Sequence, residues 1–444
     1  MDAIPSPSPN DLDAYWMPFT ANAAFKADPR LFVAADGNDY IEASGRRVLD
    51  GMAGLWCVNA GHNRAPIVEA IRDMAGRLDF VSSFSMGHPT AFTFASRLVD
   101  IAPEGHDRAF FVNSGSEAVD TALKIARAYH AARGDSRRVR LIGRARAYHG
   151  VGFGGLSVAG IARHKKDFGP LLPEVSHLPT TYDRARQAFS RGQPAEGADL
   201  AEALADQIAI YGAETIAAVI VEPVTGSGGV FAPPIGYLER LRALCDANGI
   251  LLIFDEVITG FGRLGTAFAA QRFNVTPDLI TTAKGLTNGS VPCGAVLAHR
   301  RVTRGIEEAS GGGIDLMHGY TYSGHPLAAA AGVATLGVYE SEGLFARAGA
   351  MEAMLADALH GLRDAPGVLD IRSIGILGAV DIAAGPDGVG KRGAAVARHC
   401  LDAGVLIRAA GDMMVLSPPL TFGPNDYDRL VTALRAALIA HPPG

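Results

Sequence analysis

The sequence predicts an α/β fold: a large domain on a mostly parallel sheet, with a smaller α+β domain beside it. Three observations predict it. Short apolar runs such as Ile250-Leu251-Leu252-Ile253-Phe254 are unbroken by polar residues, as strands buried on both faces of a parallel sheet are. Amphipathic stretches, Glu117–Arg133 and Gly236–Asn248 among them, lie between those runs as connecting helices do. After His325 the grammar changes, and an alanine-rich helix, Pro326–Glu340, leads into short strands mixed with helices.

At 444 residues the chain has room for two or three domains and a large core. The division expected is a large domain over 56–325 and a small domain over 326–444, completed by the segment 1–55. The net charge is only −6, without the basic surface that binds polyanions, so nucleic acid is not an expected partner. No apolar run approaches the roughly 18–20 residues of a membrane span, so no membrane is expected either. Met1–Asn10 lacks the basic region and apolar core of a signal peptide, and its alternating prolines point to a mobile tail. Cys57, Cys245, Cys293 and Cys400 are scattered without metal-type spacing, as reduced thiols of a cytoplasmic protein are. His62, His88 and His325 show no ligand spacing, so no metal site is read.

Taken in order, Asp11–Thr20 carries Tyr15, Trp16 and Phe19, too aromatic for a linker; an internal contact and an oligomer contact both stay open. Residues 31–50 alternate strand-like pieces with turns, as a small β unit does. The large domain's strands are Ala109–Val112, Val139–Ile142, Ala217–Val221, Ile250–Phe254, Pro277–Thr282 and Cys293–Ala298. Beyond 326 come Val368–Arg372, Leu377–Ile382, Val405–Ile407 and Met414–Leu416.

The run 250–254 ends in Asp255-Glu256, and the run 277–282 ends in Ala283-Lys284-Gly285. Both ends fall at the carboxyl edge of the sheet, where open α/β folds bind ligands. An acid and a lysine meeting there over one small ligand suit pyridoxal phosphate chemistry. The lysine amine joins the aldehyde, and the aspartate keeps the ring nitrogen protonated so that the ring withdraws electrons. The alternative is a lysine that merely ends a strand in water, and spacing alone does not separate the two.

Strand Phe110–Val112 runs into Asn113-Ser114-Gly115-Ser116-Glu117 and a helix. Ser114 and Glu117 match a capping box. The same turn offers free amides, two hydroxyls and a positive helix end to a phosphate, with Gly115 permitting close approach. Tyr148-His149-Gly150 follows a strand; an aromatic there either lies against a planar ring or packs inward. Gly150, Gly152 and Gly155 satisfy the dinucleotide fingerprint, but Tyr148-His149 separate it from the strand and Pro170 and Pro173 interrupt the stretch beyond it. A nicotinamide oxidoreductase is therefore the weaker reading. Glu222-Pro223 brings a third carboxylate to the sheet edge, with Gly226, Gly228 and Gly229 leaving room beyond it. Thr321-Tyr322-Ser323-Gly324-His325-Pro326 is either a further phosphate contact or a plain helix start.

Together, Asn113–Ala118, Tyr148-His149-Gly150, Phe254–Val257, Ala283-Lys284-Gly285 and Thr321–Pro326 resemble the motifs of class III aminotransferases, in that family's order. The similarity runs from about Tyr15 to the end of the chain. Trp16–Thr20, Gly54–His62 and Gly404–Arg408 are similar to the ω-amino acid:pyruvate (β-alanine:pyruvate) group within it. The resemblance implies fold type I of the pyridoxal phosphate enzymes and a homodimer or dimer of dimers with active sites at the subunit interface. It implies that Lys284 bears the cofactor and Asp255 partners its ring nitrogen. Tyr148 and Val257 would take opposite ring faces, with His149 and Glu222 beside them. Ser114, Gly115 and Ser116 would hold the phosphate, joined by Thr321 from the neighbouring subunit.

On the substrate side the resemblance implies Phe19, Trp56, Phe84 and Tyr148 as pocket walls and Arg408 as a carboxylate clamp, a task suited to a guanidinium fork. Arg408 is expected to swing aside for amines without a carboxylate. The implied reaction is ping-pong transfer of an amino group from an ω-amino acid or amine to pyruvate, with neutral Lys284 moving the proton. A racemase or aminomutase of the same fold would share every cofactor residue and differ in needing no external acceptor.

Overall fold

The structure, a computed structural model, describes residues 12–444; the proline-rich tail at 1–10 lies outside the described residues. Ten strands precede residue 300: β1 (Phe32–Asp36), β2 (Asp39–Glu42), β3 (Arg47–Asp50), β4 (His106–Val112), β5 (Arg140–Arg144), β6 (Val175–Leu178), β7 (Ile216–Val221), β8 (Leu251–Asp255), β9 (Leu279–Thr282) and β10 (Gly294–His299). Five more lie beyond it: β11 (Val368–Ile374), β12 (Leu377–Ile382), β13 (Val405–Leu406), β14 (Arg408–Ala409) and β15 (Met413–Leu416).

Every residue of β7, β8 and β9 is buried, as runs without polar alternation require. They form the middle of a seven-stranded sheet in the order β4-β10-β9-β8-β7-β5-β6. Only β10 runs against its neighbours. Successive side chains of β8 serve opposite faces. Leu252 and Phe254 join a core that continues to Ile371, Val380 and Leu416, whereas Leu251 and Ile253 pack on Val119 and Ala122 of the helix Gly115–Ala132. β6 has no counterpart among the strands expected from the sequence; it is a four-residue edge strand whose Ser176 and His177 break the apolar run.

Two smaller sheets follow different rules. β11-β12-β15-β14 is antiparallel. The other, β1-β2-β3-β13, joins chain beginning to chain end, because Val405 and Leu406 pair in parallel with Leu49 and Asp50. The single strand expected over 405–407 is thus two: β13 pairs with β3, and after Ile407 the chain crosses so that Arg408 pairs with Val415. Competition for partners on two sheets divides it.

Tyr15 and Trp16 are 65% and 89% exposed, so among the described residues nothing provides the internal contact left open for them. Among the described residues no helix is long and apolar enough to cross a membrane.

Candidate active site

Parallel pairing places Ile253 beside Leu279, Phe254 beside Ile280 and Asp255 beside Thr281, so β8 and β9 end at one level. Three residues past Thr281 the chain reaches Lys284, which opens a short 3-10 turn, Lys284–Thr287, with a left-handed φ of 48°. Such an angle costs free energy at a side chain other than glycine and persists where surroundings over-determine it. Here they do. Tyr339 Oη donates to Gly285 O at 2.6 Å, and a Cβ on Gly285 would stand 2.7 Å from Asn59 Nδ2. Asn288 accepts the Ala60 amide and donates to Gly61 O, both at 2.8 Å.

Asp255 is buried and its carboxylate has three partners, which leaves room for one more donor. Oδ1 accepts Thr281 Oγ1 at 3.0 Å and the Val257 amide at 3.2 Å; Oδ2 lies 2.7 Å from His149 Nδ1. Burial pushes the Lys284 amine below the usual lysine range, against the opposing pull of Cys57, Asp255 and Glu222. Its side chain keeps some surface exposure while the amine lies deep. The result is a deep-lying amine whose charge is disfavoured by burial and favoured by the neighbouring carboxylates.

Glu222 follows β7 and is also buried; burial pushes its carboxyl above the usual range. Its oxygens accept the amides of Tyr148 and Gly226, each at 2.9 Å, which ties the loop after β5 to the loop after β7. Arg144, buried at the end of β5, reinforces the tie by donating to Glu222 O and Thr225 Oγ1. The half-buried Tyr148 thereby stands at the sheet edge with His149 directed inward to Asp255.

At the start of the helix Gly115–Ala132, Ser114 Oγ accepts the Glu117 amide at 3.1 Å, as a cap should. The reciprocal bond differs from the capping box expected, because Glu117 Oε2 takes the amide and side chain of Asn113 rather than the amide of Ser114. The first-turn amides of Gly115 and Ser116 have no intrahelical acceptor. Ser116 Oγ accepts the Val151 amide at 3.1 Å, leaving its own proton to donate. A Cβ on Gly115 would lie 2.9 Å from Val257 Cγ1, so the turn and Val257 are in contact.

The glycines at 150, 152 and 155 serve this packing. Side chains there would strike Ser116 Oγ, Asp120 Oδ2 and His149 O at 2.6, 2.3 and 2.2 Å, and the next helix, Phe153–Val158, is six residues long. The strip fits against a helix; the dinucleotide reading fails.

Trp56 faces the lysine from the opposite side, its ring 5.6 Å from Lys284 Nζ and 5.1 Å from the Arg408 guanidinium. Burial, with Arg163 nearby, lowers the Arg408 pKa, and the Tyr148 phenol opposes that shift.

Sequence comparison gives this arrangement its relatives. The family profile described as Aminotransferase class-III matches residues 23–438. The chain belongs to the class III aminotransferases. It is 54% identical to the omega-aminotransferase of Caulobacter vibrioides, over 98% of this chain and 99% of that one. It is 43% identical to the beta-alanine–pyruvate aminotransferase of Pseudomonas aeruginosa, over 98% of each. An amine transaminase from an uncultivated Pseudomonas species, solved with pyridoxal phosphate bound, superposes with a TM-score of 0.89 at 39% identity, covering 96% of this chain and 98% of that one. The class is one of pyridoxal phosphate enzymes with amine and keto acid substrates, and the fold is that of its type I transferases.

In this class III aminotransferase the remaining expected residues are dispersed. Phe19 is 79% exposed and reaches Tyr148 only through His164, whose ring lies 5.7 Å from each. Phe84 packs on Gly319, and Thr321 is exposed without a hydrogen bond to the other candidates. His325 caps its helix by accepting the Leu327 amide, the plain helix start left open at that motif. Sequence reasoning did not find Thr281, Arg144, Asn288, Tyr339 or His164. Thr281 alone carried a signal, as the residue paired with Asp255 at the ends of two parallel runs.

Proposed function

We propose that this aminotransferase moves an amino group from a β-alanine-like ω-amino acid or amine to pyruvate, giving alanine and an aldehyde or ketone. One observation carries the reading: a buried lysine with a lowered pKa, set against an aspartate fixed by three hydrogen bonds and faced by an arginine over tryptophan. The named activities of the relatives at 54% and 43% identity support the substrate class.

The residues present fit pyridoxal phosphate. A deep amine suits an aldehyde, an engaged carboxylate suits a ring N–H, and free first-turn amides with the Ser114 and Ser116 hydroxyls suit a phosphate. We assign Lys284 and Asp255 the catalytic roles, and Ser114, Gly115, Ser116, Tyr148, His149, Glu222 and Val257 the holding of the cofactor. When bound, the cofactor supplies an electron-withdrawing ring that stabilises charge at the carbon losing its proton. Asp255, its Oδ2 oriented by His149 Nδ1, would accept the ring N–H. Neutral Lys284 Nζ would take the proton from the amine-bearing carbon and deliver it to the cofactor's former aldehyde carbon. Arg408 binds a substrate carboxylate and turns aside when none is present, with Trp56, Tyr148 and Phe19 bounding the pocket.

Phe84 and Thr321 we assign to the site of a partner subunit in a homodimer. The exposure of Phe84, Met86, Phe92, Met317 and Tyr322, between 57% and 84%, supports that reading, since so large an apolar face marks an interaction. We place the two working bodies at 56–325 and at 326–444 with the N-terminal segment, and the protein, whose four cysteines are free, in the cytoplasm. A panel of amine donors assayed with pyruvate tests the reading: alanine should form with β-alanine-like donors. Conversion of the amine without any keto acid would instead mark a racemase or aminomutase.

A further inference from the structure

The turn that presents Trp56 is strained. Ala53, Gly54 and Trp56 have left-handed φ angles of 47°, 69° and 59°, a region only glycine enters freely. For alanine and tryptophan it persists where surrounding groups enforce it. Asp50 is that group. Its carboxylate is fully buried; Oδ1 accepts the Met52 amide at 3.1 Å and Oδ2 the Gly54 amide at 2.6 Å. Oδ2 also lies 2.8 Å from His62 Nε2, and the buried His62 ring is wedged against Tyr40, 4.4 Å between centroids.

The same residue supports the strand leading to Arg408. Asp50 is the register partner of Leu406, and Gly51 donates to Leu406 O at 2.9 Å. Ser417, two residues past the Val415 that pairs with Arg408, donates its amide to Gly51 O and its hydroxyl to Met52 O. One residue thus underlies both, its carboxylate holding the tryptophan turn and its backbone pairing with the strand that leads to the arginine.

We propose that Asp50 and His62 are a positioning pair that holds Trp56 under Arg408 and thereby sets the preference for carboxylate-bearing over carboxylate-free substrates. The inference rests on the roles proposed above for Trp56 and Arg408. If the turn relaxes toward ordinary angles, the indole withdraws, and the guanidinium loses both a cation–π contact and its pose. Lys284 keeps Tyr339 on Gly285 O, and Asn288 bonds only the backbone of Ala60 and Gly61, past the strained turn, so proton transfer survives while selectivity falls.

Asp50→Asn tests this, because an amide replaces one of the two oxygens that between them serve Met52, Gly54 and His62. In cofactor-loaded enzyme the pyruvate KM should rise about tenfold with kcat within about twofold, and kcat/KM for an amine lacking a carboxylate should change far less. His62→Phe should act in the same direction, and His62→Gln, which keeps a donor, should restore the wild-type ratio. The protein has two tryptophans, so in a Trp16→Phe background emission reports Trp56 alone. Acrylamide quenching should increase in Asp50→Asn and His62→Phe and not in His62→Gln. Equal proportional losses for both substrate types per loaded site, with Trp56 emission unchanged, would overturn the proposal. Should Asp50→Asn not fold, the His62 pair decides it. Wild-type enzyme that makes no alanine would sink the site reading itself; an active wild type beside variants that lose both substrate types in equal proportion would sink only the pair.

Discussion

Asp255 and Lys284 are enclosed by groups of their own chain: three donors on the carboxylate, a tyrosine and an asparagine behind the lysine loop. Phe84 and Thr321 are exposed, and their segment packs mainly on itself, with Phe80 edge-on to Tyr322 at 5.9 Å and Phe84 against Gly319. The first region is finished when the sheet folds. The second presents apolar rings, Phe84 and Tyr322, that stay more than half exposed among the described residues. We read the first region as the seat of the chemistry and the second as a wall for another surface to complete.

Substitutions can break that contrast in order of size. Lys284→Ala should lower turnover by at least about 10⁴-fold while cofactor still binds without a covalent link, read as pre-steady-state amino transfer and retained cofactor. Asp255→Asn should cost about 10²–10³-fold in kcat, since the charge facing the ring nitrogen is lost, with His149 and Thr281 keeping partners. Arg408→Ala should raise the pyruvate KM by about 10–100-fold and spare amines without a carboxylate; an equal loss with both would remove its clamp role. Phe84→Asp should leave the single-chain floor folded, by circular dichroism, yet shift sedimentation toward monomer and release cofactor. If the variant stays dimeric and fully loaded, the outer face has another purpose. The smallest effect is in pH. Lys284, once substrate has displaced it, must be neutral to accept a proton, so kcat should fall about tenfold per unit below its pKa. Because burial lowers that pKa, the plateau should begin below the ordinary lysine value of 10.5.

The floor was legible because its residues end unbroken apolar runs, and parallel pairing brings such ends to one edge. Its supports were not. Asn288 and Tyr339 reach the lysine loop from segments whose local pattern is that of a turn and an alanine-rich helix, and nothing in those patterns tells which loop they meet. Asp50 reads in sequence as the end of a small β unit; only its parallel pairing with Leu406, more than 350 positions away, shows that it lies under the arginine strand. The division of 405–409 between two sheets was invisible for the same reason. Of the outer residues, Phe84 came from family resemblance alone, and Thr321 from a motif that read equally as a phosphate contact or a helix start.

The central claim is that the Lys284 amine carries the cofactor. Borohydride reduction of freshly purified enzyme, followed by peptide mass spectrometry, tests it most directly. The account predicts a reduced pyridoxyl adduct on Lys284 at close to one per chain. An unlabelled Lys284, with the adduct on another lysine or on none, would contradict it.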